Sequence, residues 1–357
     1  MSCPNHTVMP YEKDIVLTVD YHKKNLDIRW LNRATGEERT FRRPTTRQDI
    51  EAVVREARAE AAPAGGQIVW IMESTTGWAR VKDLIGGQVK FILCNVLRMP
   101  REPKAYRKKT DRTDTARMQR ETLNGELPQA YQTPVEVRQL RRLTSTREDL
   151  VARRTAVRNW ISHYLAHETW ESTVGLWSAK GLARLKKLAA FAGGDRLVLE
   201  IKLKELEELE ERLEQVEAEI GQTYARSPSA QRLDEIKGIG PVAAVSILSR
   251  MGDVNRFGNA ESLVALAGLA PGVHSSDDTR HSGRIGGGGT DKWLRHYLIE
   301  ATVWARKIPR YRDAYERMVK RRGKKIARIA VGRMLLRSIY KMLKEDLAFD
   351  PSARAVA

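Results

Sequence analysis

The stretch Asp14–Asn32, DIVLTVDYHKKNLDIRWLN, decides how the N-terminal third of the chain folds. Its first seven residues form an apolar run that ends on an acid, Asp20, as a buried strand does when it emerges from a sheet. After the polar break YHKKN, residues Leu26–Asn32 alternate apolar and polar, the period of a half-buried strand. Glu38–Arg42 follows the turn-like ATGE and predicts a third strand. Arg47–Ala62 is helical in composition and stops at Pro63 and the Gly65–Gly66 pair. Gln67–Met72 (QIVWIM) is a second continuous apolar run, again ending on an acid, Glu73, and Val89–Cys94 (VKFILC) is a third. Three hairpin-linked strands followed by alternating helix and strand predict an α/β domain over residues 10–125, one mixed sheet with helices on its faces.

Beyond residue 130 the period changes from two to about 3.6. Thr133–Glu168 is helical, with Val137, Leu140, Leu150, Val157, Ile161 and Leu165 on one stripe. Arg138, Arg141, Arg142, Arg153, Arg154 and Arg158 crowd its other faces, where phosphate contact competes with the plainer role of a solvated charged face. Gly194–Thr223 places Leu199, Leu206, Leu209, Leu213, Val216 and Ile220 at a/d spacing among glutamates. About three heptads fit a coiled coil or a long helix packed within its own chain equally well. Residues 130–225 therefore read as a helical connector. After the break at Ser227–Ser229, residues 230–345 read as an all-α domain, followed by a disordered tail, 346–357.

Within that last domain, Ile236–Val242 (IKGIGPV) reads as a helix-hairpin-helix-like turn. Lys237, Gly238 and Gly240 would present backbone N–H groups to a phosphate, or simply form a tight interhelical turn. Lys320, Arg321, Arg322, Lys324 and Lys325 cluster on a basic helical stretch. The whole chain has 357 residues and a formal charge of +18, which points to a polyanionic partner, nucleic acid first. No apolar run reaches the roughly 20 residues needed to span a bilayer, so no membrane partner is expected. Two cysteines, Cys3 and Cys94, exclude a disulfide framework and a cysteine metal site. The N-terminal MSCPNHTVMPYEKD lacks the apolar core of a signal peptide, so a cytoplasmic, nucleoid-associated protein is expected.

Four acids stand where a metal site needs them. Asp20 and Glu73 end two apolar strands, and Asp111 and Asp114 in KKTDRTDTARM are three apart, on one helical face. Hard oxygen ligands of this kind suit magnesium, with manganese a substitute. Taken singly, each acid is ordinary: strand ends commonly carry acids, and Asp111 has Lys108 and Arg112 beside it. Together, in this order and in so basic a chain, they point to phosphodiester chemistry.

The order of elements is compatible with a ribonuclease H-like fold. TVDYHKKNLDI around Asp20, MESTTGW around Glu73 and the KTDRTD segment resemble the DEDD insertion-sequence transposases. The N-terminal domain of that family is itself similar to the Holliday-junction resolvase RuvC. The resemblance implies that Asp20, Glu73, Asp111 and Asp114 bind magnesium. Phe257 through LAGLAP and on to LRHYLIEA resembles the family's C-terminal domain, in which a serine after the GLAP turn is the nucleophile. That serine falls on Ser276, with Ser275 the alternative and Ser282 a third candidate. The resemblance further implies a DNA transposase or recombinase acting on donor and target DNA, a structured bridge RNA that guides it, and a homodimer or dimer of dimers. A RuvC-type resolvase without serine chemistry and a non-catalytic nucleic-acid scaffold are the rival readings.

Overall fold

The computed structural model describes residues 10–100, 111–168, 173–187, 193–270, 273–276, 279–282, 285–287 and 289–352; the side chains of 111–113, 273–276 and 279–282 are not described. The chain divides into two compact units, Met1–Gln132 and Thr133–Ala357.

In the first unit β1 (Ile15–Tyr21), β2 (Asn25–Asn32), β3 (Glu38–Pro44), β4 (Ile68–Glu73) and β5 (Lys90–Cys94) form one sheet in the order β3-β2-β1-β4-β5. β1, β2 and β3 pair antiparallel as a meander, whereas β1, β4 and β5 run parallel, so the mixed sheet read from the sequence is the one that forms. The parallel strands are covered on both faces, which is why they read as unbroken apolar runs. On one face lie α1 (Arg47–Ala61), capped by Thr46, and α2 (Trp78–Ile85), over Leu17, Val19, Trp30, Trp70 and Met72. On the other lies α3 (Asp111–Leu123), whose Met118 packs with Val16, Val69, Ile71 and Ile92. This is the architecture of a ribonuclease H-like domain.

The second unit contains the residues of both the connector and the C-terminal domain. α4 (Val135–Glu168) and α6 (Gly193–Ala225) lie antiparallel, with Arg147 paired to Glu217 at 2.6 Å and Arg158 to Glu210 at 2.5 Å. Leu199, Leu206, Leu209 and Leu213 of the heptad pattern are buried against Leu150, Val157, Ile161 and Leu165 of α4. The repeat is thus occupied within its own chain. The short helix α5 (Ala179–Lys186) adds Leu185 to that core.

The remaining helices are α7 (Pro228–Asp234), α8 (Pro241–Met251), α9 (Ala260–Leu266), α10 (Lys292–Ala305), α11 (Pro309–Arg322) and α12 (Lys324–Glu345). They enclose a core that includes Ile236, Ile239, Leu263, Leu298, Tyr311 and Leu335.

Two expectations need correction. The C-terminal region is not all-α, because Val273–Ser276 (β6) and Thr279–Ser282 (β7) pair as a two-stranded antiparallel hairpin. Short β-branched and polar residues flanked by Gly-rich segments favour that extended pairing over a helix. Nor does the tail loosen at residue 346. Phe349 packs on the helical core and its N–H donates to Glu235 at 3.1 Å, while Arg310 donates to the carbonyl of Asp350 at 3.1 Å. Residues 353–357 lie outside the described residues. Among the described residues, no helix is long and apolar enough to cross a membrane.

Candidate functional site

Asp20 and Glu73 are brought together by strand register. In the parallel pair β1–β4, Val16 lies opposite Val69, Thr18 opposite Ile71, and Val19 opposite Met72. Asp20 and Glu73 are the next residues along, so both fall on the face occupied by Val16, Val69 and Ile71. That is the face α3 covers. Met118 faces the sheet and Asp114 is one helical turn before it, so Asp114 lies near the start of the helix on its sheet-facing side. The side chain of Asp111 lies outside the described residues. Among the described residues, no three His, Cys, Asp or Glu side chains are gathered closely enough to hold one ion.

Two neighbours shape the strand-end acids. Gly77, with φ 108°, begins the turn into α2, and a Cβ there would meet the Tyr21 ring at 2.4 Å. The loop after Glu73 is thereby held against the residue that follows Asp20, which only glycine permits. Asp27 on β2 stands directly across from Asp20, both side chains being about one-sixth exposed (17% and 16%). Two carboxylates opposed on adjacent strands repel unless a cation intervenes. His22 Nε2 lies 3.4 Å from Asp20 and 3.7 Å from Asp27, and Arg42 grips Asp27 with two hydrogen bonds of 2.9 and 3.0 Å.

The donor set suits a hard divalent cation. The carboxylates sit at the rim of an apolar sheet, and beneath them on the same face the buried Thr18 hydroxyl has no hydrogen-bond partner among the described residues. Burial, reinforced by the charge of Glu73, pushes the Cys94 thiol up to about 12, which keeps it a neutral core group. Sequence reading missed Asp27, His22 and Thr18. Asp27 occupies an ordinary polar position of the alternating LDIRWLN, so only the β1–β2 register reveals that it faces Asp20.

In the helical unit the three candidate serines sit on the β6–β7 hairpin. Ser276 ends β6 opposite Thr279, Ser275 lies opposite Arg280, and Ser282 closes the other end opposite Val273. Two arginines fix the segments leading into and out of the hairpin. Arg333 donates to the Leu269 carbonyl at 2.8 Å, and the Arg295 guanidinium fills the space beside Gly268 and Gly286.

The predicted phosphate-binding arginines divide into two groups. Arg141 is committed to the carbonyls of Ser249 and Arg250, at 2.6 and 3.0 Å, and so caps α8. Arg158 is held by Glu210 and the Trp177 ring, Arg138 by the Thr133 carbonyl, and Arg153 by Asp149. Arg142 is exposed and Arg154 partly so. Lys320, Arg321, Arg322, Lys324 and Lys325 are all exposed around the helix break at Gly323. The IKGIGPV segment is a turn between α7 and α8 that buries Ile236 and Ile239 and leaves Lys237, Gly238 and Gly240 on the surface.

Comparison with known proteins agrees across both units. A family model described as a transposase, of the DEDD IS110 type, matches residues 17–168. A second, the transposase IS116/IS110/IS902 family, matches residues 230–316. The chain is 28% identical to "Probable family 20 transposase" of Pseudomonas aeruginosa over 41% of its own length and 45% of the relative's. It is 29% identical to "Transposase for insertion sequence element IS1111A" of Coxiella burnetii over 50% of each chain. Over 34% of its length and 38% of the relative's, it is 33% identical to "Pilin gene-inverting protein" of Moraxella bovis. The chain thus spans half or less of these three relatives.

Proposed function

Because the chain belongs to the IS110 family of DEDD transposases, which matches both its units, we propose that it cuts and rejoins DNA during movement of an insertion sequence. The observation that carries this reading is the placement of Asp20 and Glu73 at neighbouring strand ends, on the sheet face over which α3 brings Asp114. In this reading Asp20, Glu73, Asp111 and Asp114 hold magnesium or manganese. The bound ion would supply Lewis-acid polarisation of a phosphate and charge neutralisation at the leaving oxygen.

Ser276 is the proposed nucleophile, with Ser275 and Ser282 as alternatives. Its Oγ–P bond forms as one P–O bond to deoxyribose breaks, and in net balance the hydroxyl proton passes to the departing sugar oxygen. Rejoining reverses the step with the hydroxyl of another strand. The exposed cations around Gly323, with Arg142, Arg154 and Lys237, hold nucleic-acid backbones. They carry no base readout of their own, which fits guidance by a bridge RNA that chooses donor and target by pairing. A dimer or dimer of dimers would bring two DNA ends together.

The test replaces Ser276, Ser275 and Ser282 singly by alanine and traps the protein–DNA adduct in magnesium. We expect loss of the adduct and of strand cleavage in Ser276→Ala alone. Cleavage surviving in all three variants would mean water-mediated hydrolysis of the resolvase kind. An adduct mapped to none of the serines sinks the covalent step.

A further inference from the structure

The helical unit carries an exposed indole with two ammonium groups gathered around it. Trp304 lies in the last turn of α10 and is 46% exposed, beside Val303 at 38%. Lys307 Nζ sits 4.4 Å from its ring centroid, and Lys237 Nζ, from the glycine turn before α8, sits 5.6 Å away. The base of the side chain is locked. Gly238 has φ 103°, and a Cβ there would come within 2.9 Å of both the Ala301 carbonyl oxygen and the Trp304 Cβ. The turn therefore closes directly onto Trp304, with Ile236 and Ile239 anchoring it in the core. Next to the lysines, Ile308, Pro309 and Phe349 help line an open cavity of about 440 Å³.

Packing accounts for the base of this side chain but not for its exposed indole. A tryptophan on a helix end gains little stability when half its surface stays wet. Two lysines converging on one ring are held by its quadrupole but remain exposed. A flat aromatic face flanked by cations is the recognition chemistry of an unpaired nucleotide, whose base stacks and whose flanking phosphates meet the ammonium groups. Bases inside a duplex are stacked on each other and cannot reach the indole. An acidic peptide would use the lysines and leave the indole uncovered.

We propose that Trp304 is a stacking platform for an unpaired base of a DNA strand, with Lys237 and Lys307 taking the phosphates on either side. The choice of DNA rests on the transposase reading, in which cut and exchanged strands pass through an unpaired state; the binding site itself rests on the geometry alone.

The experiment measures binding of the full chain to an oligo(dT) single strand of about 20 nucleotides, a duplex of equal length and the matching oligo(rU). Trp304→Ala keeps the Cβ that meets Gly238, and should weaken oligo(dT) binding about tenfold. Duplex binding should change by less than about twofold, and Trp304→Phe should fall between the two. Replacing Lys237 and Lys307 together by alanine should lower the slope of log affinity against log salt by about 1.4 on the single strand. An unchanged oligo(dT) affinity, or equal losses on duplex and single strand, overturns the platform. Oligo(rU) bound more tightly than oligo(dT) and equally dependent on Trp304 overturns the assignment to DNA. The same comparison in an Asp20→Asn background should give the same Trp304 dependence, so failure of the cleavage reading and failure of the platform are separately visible.

Discussion

The acidic end of the sheet unit and the glycine turn of the helical unit place charge by opposite means. Asp20 and Glu73 stand at the ends of β1 and β4, with Asp27 across from Asp20, so charges of one sign are forced together. Such crowding persists only where a stiff, buried strand pair fixes the backbone and where Arg42 pairs with Asp27. Lys237 and Lys307 instead converge on a neutral ring and remain exposed, so little scaffold is needed beyond one glycine turn. The sheet unit spends apolar core on holding groups that repel; the helical unit spreads cations over surface where they tolerate each other. Chemistry is therefore expected to be brittle in the first unit and binding graded in the second.

The strongest way to break that contrast is to change one acid. Asp20→Asn or Glu73→Gln should reduce DNA strand cleavage about 1000-fold or more, while DNA affinity stays level or rises because negative charge has been removed. Cleavage that falls only in step with binding would erase the distinction.

Next in size is the sheet core. Trp30 is 1% exposed and lies under the Arg39 guanidinium at 4.1 Å. Trp30→Ala should destabilise the sheet unit by about 3–5 kcal/mol, seen as a lowered calorimetric transition, with the transition of the helical unit unmoved. Gly238→Ala should cost the helical unit about 1–2 kcal/mol, from a left-handed backbone and the contact with Ala301, and should weaken nucleic-acid binding without touching the acid site.

The smallest expected effect depends on pH. Glu148 of α4 is buried, and one of its carboxylate oxygens has no hydrogen-bond partner among the described residues, only Arg147 at 4.0 Å. Burial raises its pKa, against the lowering effects of Arg147, His296 and Arg250. A carboxyl raised in the folded state contributes its full stability below the ordinary glutamate range, and that stability is lost as pH rises through the folded value. Glu148→Gln should therefore raise the melting temperature of the helical unit by roughly 2–4 °C at pH 8 and leave it unchanged at pH 4. A gain that is equal at both pH values would contradict this.

Much of the sheet unit was legible because each strand carries its own signature. DIVLTVD and QIVWIM are unbroken apolar runs because both faces are covered, and LDIRWLN alternates because β2 is less enclosed. The strand-end acids followed from those boundaries. Asp27 did not, since its closeness to Asp20 depends on the β1–β2 register rather than on anything adjacent in sequence. In the helical unit, periodicity found the helices but not their partners. The heptads of α6 proved to face α4, because a leucine stripe records that a face is buried and not against which helix. Arg141 and Arg158 looked like phosphate ligands for the same reason, until the fold placed the Ser249 carbonyl and Glu210 within reach. The pairing of β6 with β7 was hidden by glycine-rich flanks that suit loops as well as hairpins.

The central claim is that acids from two strands and one helix form a single divalent-cation site. Titrating manganese into the full-length protein, followed by paramagnetic resonance of free ion, tests it without any DNA. The account predicts saturable binding that is lost in Asp20→Asn, Glu73→Gln and Asp114→Asn alike, with each variant still folded. Binding that survives unchanged in any one of the three would show that residue to lie outside the site and contradict the account.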